Sequence, residues 1–413
     1  MTIYNLISVF GILALIALAF LLSDNRSKIR WRIVAIGLLL EFVFAFLILR
    51  TGPGRASFEW ISKALLKVLN FSNYGTDFVF GPLFKMDDPN YFVFFLHGLV
   101  PIVFFGSIIS LLYHWHIMQK IVRWMAYVFV KFMGLSSAEA LGVASNVFLG
   151  QTQAPLVVAP YLKAMTRSEL FLTMVGGMAT VAGSLLIAYV AMGADMKYVL
   201  AASIMAAPGA IIMAKIMIPE TGTPETSGAK TEVDEQVDTV NFLDAIATGA
   251  TDGWKICVGV AVMLLSFISI IYLLDYMIGF ISLHVAQLFG SDYKLSLDII
   301  LGWLFSPVAW AIGVPAADAK EFAVLIGQKT AFNEFIAYGR LLKANLSPRA
   351  FMMACFALTG FANFSSIAIQ IGGIGAIAPS RRHDIARLGM KAVLAGALAN
   401  ILSAAIAGVM FLG

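Results

Sequence analysis

The residue in this 413-residue chain with the most to explain is a carboxylate in apolar surroundings. Glu334 lies in "KTAFNEFIAY", between Phe332 and Phe335. At membrane depth a carboxylate costs on the order of 2.5–3.5 kcal/mol even on the lenient insertion scale, so it needs a cation or a set of donors. Lys329, five residues earlier, offers one answer as a structural pair, although a buried pair is a costly way to gain stability. A bound solute offers the other, because an ionised carboxylate only accepts and suits neighbouring hydroxyl donors. "GFANFSS" adds Phe361, Asn363, Phe364 and Ser366, and "GQTQAP" adds Gln151, Thr152 and Gln153. Apart from Lys329 these stretches hold no Lys or Arg, which argues against a phosphate or carboxylate substrate. They suit a neutral molecule rich in hydrogen-bonding groups. Interhelical packing explains any one of Gln151, Thr152, Ser184 or Ser365 equally well; the constellation carries the functional reading.

The elements that hold these residues are set by composition. Hydrophobic residues make up 60% of the chain and charged ones 13%, against roughly 25% charged in a soluble domain. The expectation is an all-α integral membrane protein. Lys+Arg 28 against Asp+Glu 24 gives a net charge of +4, and the basic residues are scattered in loops, which is no nucleic-acid footprint. Cys257 and Cys355 stand alone in apolar segments and read as small core residues. The first apolar stretch, 7–22, has no basic residue ahead of it and no small-residue cleavage site after it, so it reads as a spanning helix and not a secretory leader.

A bilayer core takes about 20 apolar residues per helix. Eight stretches qualify: 4–22, 33–48, 92–112, 170–191, 199–217, 257–278, 350–371 and 388–412. Residues 117–132 are amphipathic, with Lys120, Arg123 and Lys131 beside Trp124, Met125 and Phe132, and read as an interfacial helix. Two other segments have short apolar halves. One runs from about 138 to 164 and turns at the Gly150 motif; the other covers 304–338, broken at Pro307, Pro315 and Gly327. Both read as re-entrant hairpins, tolerated only where protein or a wet cavity covers the backbone. Arg26, Lys28, Arg30 and Arg32 in the first short loop, and Arg381, Arg382 and Arg387 in the last, place those loops in the cytoplasm and both termini outside. Arg340, Lys343 and Arg349 then fall outside, against the rule.

An internal repeat follows. Gly150 and Thr180 are 30 residues apart (180 − 150), as are Asn333 and Asn363 (363 − 333). Each pair joins a hairpin tip to an interrupted helix, "VGGMATVAGS" or "TGFANFSSIAIQIGG". Three spans separate the two hairpins, so they enter from opposite faces and the repeats are inverted. Paired interrupted segments of this kind point to a transporter's binding site. The chain divides into scaffold helices (1–116), a first repeat (117–218), an acidic cytoplasmic linker with an interfacial segment (219–253), and a scaffold helix with the second repeat (254–413).

"GQKTAFNEFIAY" fits G-x-K-x₃-N-E-F-x-A-Y and resembles the signature of the concentrative nucleoside transporters. "GQTQAPLVVAP", "GVP", "GFANFSSIAI" and "RRHDIARLG" are similar to the bacterial sodium-coupled branch, in order over nearly the whole chain. The resemblance implies eight membrane helices, two re-entrant hairpins, interfacial helices and a homotrimer in the bacterial inner membrane. It also implies sodium-coupled nucleoside import by an elevator-like motion, with no organic cofactor. It assigns base contacts to Gln151, Thr152, Gln153 and Leu185, and ribose contacts to Glu334, Asn363 and Ser366, with Phe361 packed nearby. Sodium would meet the side chains of Asn146 and Thr180 and the carbonyls of Leu149 and Val181. Gln153 departs from the family, which usually has Glu there; the amide donates as well as accepts.

The alternatives are a proton-driven carrier with Glu334 as the titrating group, an intramembrane enzyme and a channel. The spans lack His-x₃-His, Gly-x-Ser-x-Gly and paired aspartates, which speaks against an enzyme. His114 and His116 are too closely spaced to share a helix face, and His97 and His284 read as satisfied core residues. No repeated filter or charge ring points to a channel.

Overall fold

The computed structural model describes residues 3–84, 93–228 and 239–411. The middle of the expected acidic linker lies outside the described residues. Every regular element among those residues is helical. In chain order they are α1 (Ile3–Leu21), α2 (Trp31–Leu49), α3 (Gly52–Phe80), α4 (Pro101–His114), α5 (Ile117–Val128), α6 (Ser137–Leu149), α7 (Ala154–Val157), α8 (Arg167–Ala179) and α9 (Gly183–Ala191). There follow α10 (Met196–Met217), α11 (Phe242–Leu288), α12 (Leu297–Ala311), α13 (Ala316–Ala331), α14 (Glu334–Leu341), α15 (Pro348–Leu358), α16 (Phe364–Ile377) and α17 (Arg382–Met410).

Seven runs among the described residues are long and apolar enough to cross a bilayer: α1, α2, Phe95–His114, Arg167–Ala191, α10, α11 and Pro379–Met410. The eighth expected span, 350–371, is divided at 359–363 into α15 and α16, each short on its own. α11 is one unbroken helix of 47 residues, about 70 Å at 1.5 Å per residue. The interfacial segment and the span expected at 257–278 are thus a single element, because no proline interrupts residues 242–288. Hydropathy assigned nothing to α3. Its Arg55, Glu59, Lys63 and Lys67 recur every four residues, which makes one charged helix face.

The first hairpin is locked at its base. Ser136 and Glu139 form a capping box at the start of α6, and Thr166 and Glu169 form another at the start of α8. Lys215 of α10 donates to Glu139 and, at 3.0 Å, to Ser168, tying both helix starts to α10. α6 ends at Gly150, whose φ of 75° favours glycine; a Cβ there would stand 2.8 Å from the Cβ of Ala182. The tip therefore touches the gap between α8 and α9. The return arm holds only the one-turn α7 and then runs to Ala164 in tight turns, where Pro160 removes a backbone donor.

The second hairpin is shorter than expected. Pro307 lies within α12 and Gly327 within α13; neither breaks the chain, which turns at 312–315 and again at 332–333. One proline costs a helix one backbone bond, and α12 continues through it. Asn333 then caps α14, its Oδ1 accepting from Ile336 N at 3.0 Å.

Both interrupted helices meet at the centre. α8 stops at Thr180 and α15 at Thr359. Gly360 has φ 109°, and a Cβ there would fall 2.3 Å from Ala179 O, so the two gaps lie against each other. α17, buried along most of its length, packs on α8, α10, α15 and α1. Two of the misfit basic residues are bound by other parts of the protein, Arg349 in its interior and Arg340 near its surface. Arg349 donates to Gly313 O, Tyr4 O, Asn5 Oδ1 and Ser8 Oγ, and Arg340 grips Glu321 through both carboxylate oxygens as well as Asp298. His284 departs from the core reading: it is exposed on α11, its ring 4.2 Å from that of Phe280. Cys257 and Cys355 are free and buried, as expected.

Candidate functional site

Glu334 is the first residue of α14, so its carboxylate sits at a helix N-terminus, where negative charge is favoured. It is 3% exposed. Tyr189 OH donates to Oε1 and Asn363 Nδ2 to Oε2, each at 3.2 Å. Behind it, the Tyr189 ring stacks on Tyr338 with centroids 4.6 Å apart and meets Phe335 edge-on at 5.1 Å. Two long bonds leave much of the acceptor capacity of an ionised carboxylate unused. The structural-pair alternative is not realised: Lys329 donates to Ala357 O, Thr359 O and Asn400 Oδ1.

Asn363 is fixed by its position at the start of α16. Its Oδ1 accepts from Ser366 N at 2.9 Å, Ser366 Oγ at 3.1 Å and Ser365 Oγ at 2.7 Å. The amide NH₂ is therefore held towards Glu334. Ser366 Oγ also accepts from Gln151 Nε2 at 3.1 Å, which joins the first hairpin tip to the second interrupted helix. Gln370, one turn further along α16, donates to Met174 O at 2.9 Å and reaches Gln151 Oε1 at 3.4 Å. A single chain of hydrogen bonds thus runs from Gln370 through Gln151, Ser366 and Asn363 to Glu334 and Tyr189.

Gln151, Ser366, Asn363 and Glu334 of this chain of bonds border one cavity of about 280 Å³, close to the roughly 300 Å³ lower end of small-molecule sites. Gln151, Thr152, Leu185, Glu334, Phe361, Asn363 and Ser366 all line it. The opposite wall is α11, which contributes Ile256, Gly259, Val260, Met263 and Leu264. No Lys or Arg is among the lining residues. The cavity therefore offers amides, hydroxyls, one carboxylate and apolar faces.

Gln153 stands apart. It borders a neighbouring cavity of about 270 Å³ with Tyr113, Ser184 and Asp252. The two cavities share Leu149 and Ile256, so the hairpin tip separates them. Phe364 is 48% exposed and does not line the Glu334 cavity. Sequence reasoning missed Tyr189, Phe335 and Gln370. Gln370 carried a readable signal, a lone amide in the apolar run "SSIAIQIGG". Tyr189 carried none, because its role depends on how α9 packs against α14.

Of the residues expected to meet sodium, Asn146 and Thr180 lie against each other where α6 passes the end of α8. Thr180 Oγ1 donates to Gly176 O at 2.8 Å and Asn146 O at 3.0 Å. Asn146 Nδ2 donates to Gly142 O at 2.9 Å, while its Oδ1 is buried with no hydrogen-bond partner. A buried oxygen without a donor fits a cation ligand, and an all-oxygen set suits a hard ion. Leu149, at the end of α6, and Val181, in the gap after α8, are placed where helix-end carbonyls can join it.

The chain is similar to known proteins over nearly its whole length. Residues 198–408 match the family model "Na+ dependent nucleoside transporter C-terminus", residues 10–83 its N-terminal counterpart and residues 95–196 a "Nucleoside recognition" gate model. The transporter YutK of Bacillus subtilis is 44% identical over 400 residues, covering 96% of this chain and 97% of that one. The solved structure of CNTnw in an inward-facing, substrate-bound state superposes with a TM-score of 0.91 at 42% identity, covering 98% of each chain. A doubly substituted CNTnw in an outward-facing state gives the same score and identity over 99% of this chain and 98% of that one.

Proposed function

Since this chain belongs to the concentrative, Na+-dependent nucleoside transporter family, we propose that it imports nucleosides by symport with sodium. It is a multi-pass membrane transporter and not an enzyme. The observation that carries the reading is the Glu334 carboxylate, held by Tyr189 and Asn363 in one cavity with Gln151, Phe361 and Ser366. Its spare lone pairs match adjacent ribose hydroxyls, and the amide of Gln151 and the Phe361 face suit a base. Sodium binds at Asn146, Thr180, Leu149 and Val181, directly behind the tip that carries Gln151.

Movement follows an elevator scheme. Every polar group of the cavity comes from the hairpin tips and interrupted helices, whereas the α11 wall is wholly apolar. A body that slides along such a wall breaks no hydrogen bonds to it, so solute and hairpins travel together. Related structures in inward- and outward-facing states accord with this scheme. The assembly is a homotrimer in the bacterial inner membrane, with the 219–253 linker in the cytoplasm and both termini outside.

The test is counterflow of labelled uridine and adenosine in liposomes, with sodium present or replaced by choline. Exchange of both nucleosides that needs sodium supports the proposal. Exchange at an equal rate in choline removes the coupling ion from it, and absence of any exchange removes the substrate class.

A further inference from the structure

Lys329 is a buried charged group beside the two interrupted helices for which the proposed transport cycle has no task. It is 1% exposed, and its three ammonium donors are all spent on oxygens. They reach Asn400 Oδ1 at 2.6 Å, Ala357 O at 2.8 Å and Thr359 O at 3.4 Å. None of these is a carboxylate. Ala357 and Thr359 lie at the end of α15, where carbonyls have no further helix to bond and carry the negative end of the helix dipole. Asn400 in turn donates to Ala179 O at 2.7 Å, the last residue of α8. The lysine thus neutralises the broken end of one interrupted helix and, through Asn400, is wired to the broken end of the other.

The repeat gives that position a meaning. Asn146 and Lys329 each lie in the last turn of the helix that leads into a tip, α6 ending at Leu149 and α13 at Ala331. Thr180 and Thr359 each end the first half of an interrupted helix. Each also returns its hydroxyl to the carbonyl four residues back, Gly176 O at 2.8 Å and Cys355 O at 2.7 Å. In the first repeat the corresponding side chain is a neutral amide with a buried oxygen that lacks a donor. In the second it is an ammonium with every donor used. Broken helix ends in transporters commonly take up a cation.

We infer that Lys329 is a tethered cation filling, in the second repeat, the place that the free coupling ion takes in the first. The transporter consequently runs on a single free sodium, and its second site is present but permanently occupied by its own side chain. Removal of the ammonium leaves Ala357 O, Thr359 O and Asn400 Oδ1 facing a common point. That set, oxygen only, would accept an alkali cation.

The inference rests on the sodium-coupling proposal for its transport consequence, but the cation site can be read without transport. The experiment compares wild type, Lys329→Asn and Lys329→Met as purified full-length protein in detergent. Thermal midpoints are measured without nucleoside in NaCl, KCl and choline chloride at constant ionic strength, and the sodium dependence of uridine binding is measured alongside. A ligand that binds only the folded state raises its stability with concentration. Lys329→Asn should be destabilised in choline and regain stability in alkali salt by more than wild type gains. Lys329→Met, which fills the space without oxygen or charge, should not regain it. The Hill coefficient for sodium should rise from about one in wild type towards about two in Lys329→Asn, the ceiling set by the number of sites. Equal salt responses in all three proteins overturn the inference, as does a Lys329→Asn that unfolds regardless of cation. A wild type whose uridine binding ignores sodium overturns the coupling proposal instead and leaves the stability comparison to judge the lysine.

Discussion

Replacing Glu334 by Gln changes one atom type in a site whose donors are already oriented. Asn363 cannot turn its amide without losing the three bonds that its Oδ1 accepts from Ser365 and Ser366. Its NH₂ therefore demands the new side chain's oxygen. The new NH₂ then faces Tyr189, whose hydroxyl can accept as readily as donate. The fold should survive, with a thermal midpoint close to wild type. What is lost is the charge presented to the solute. Hydrogen bonds to a charged group contribute about 1.5–3 kcal/mol and neutral ones about 0.5–1.5, so two hydroxyl bonds together lose roughly 2–3 kcal/mol. At about 1.4 kcal/mol per factor of ten, Kd should rise roughly thirty-fold to a hundredfold. The assay is isothermal titration of uridine and 2′-deoxyuridine on both proteins at saturating sodium. Wild type should discriminate against the deoxynucleoside, and Glu334→Gln should discriminate much less. An equal loss for both ligands, with discrimination intact, would refute the pairing of Glu334 with ribose hydroxyls.

Three further outcomes follow from the same geometry. Asn146→Ala removes the buried oxygen that lacks a donor, so the sodium concentration for half-maximal uptake should rise by roughly tenfold or more, a loss that even outer partners of a bound metal produce; an unchanged value places the ion elsewhere. Gln370→Ala frees Gln151 on one side, so base affinity should fall by the roughly 0.5–1.5 kcal/mol of one neutral bond while the ribose-to-deoxyribose ratio holds; a changed ratio would mean that Gln151 does not serve the base. Gln153→Glu alters the neighbouring cavity beside Asp252, so the rank order of uridine, cytidine and adenosine binding should stay as in wild type; a reordering would show that this side chain reaches the base.

How much of this was legible in the sequence depends on how local each cause is. The apolar runs of α1, α2, α10 and α17 follow from hydropathy, because each needs only a continuous stretch of suitable residues. The gaps around Thr180 and Asn363 could be read from clustered glycine and polar residues, and the equal 30-residue offsets tied them to the two tips. Proline is an uncertain guide to helix ends. Pro307 is tolerated inside α12, whereas Pro160 lies where the return arm of the first hairpin runs in tight turns. The amphipathic α3 escaped notice because its charged stripe lowers its average hydropathy. Within the site, Glu334, Asn363 and Gln151 announced themselves as polar residues in apolar sequence. Tyr189 and the α11 wall are ordinary in sequence and gain their roles only from the packing of distant segments. Lys329 was visible, but its partners were not: Asn400 lies 71 residues away, and no spacing rule links them.

The most direct test of sodium-coupled nucleoside import is accumulation against a gradient. Proteoliposomes loaded with potassium buffer are diluted into sodium buffer containing trace labelled uridine, with pH equal on both sides. Internal uridine should rise transiently above the external concentration, and a sodium ionophore should abolish that rise while a protonophore leaves it intact. Accumulation that ignores the sodium gradient but follows an imposed pH gradient would contradict the account and assign the coupling proton to Glu334.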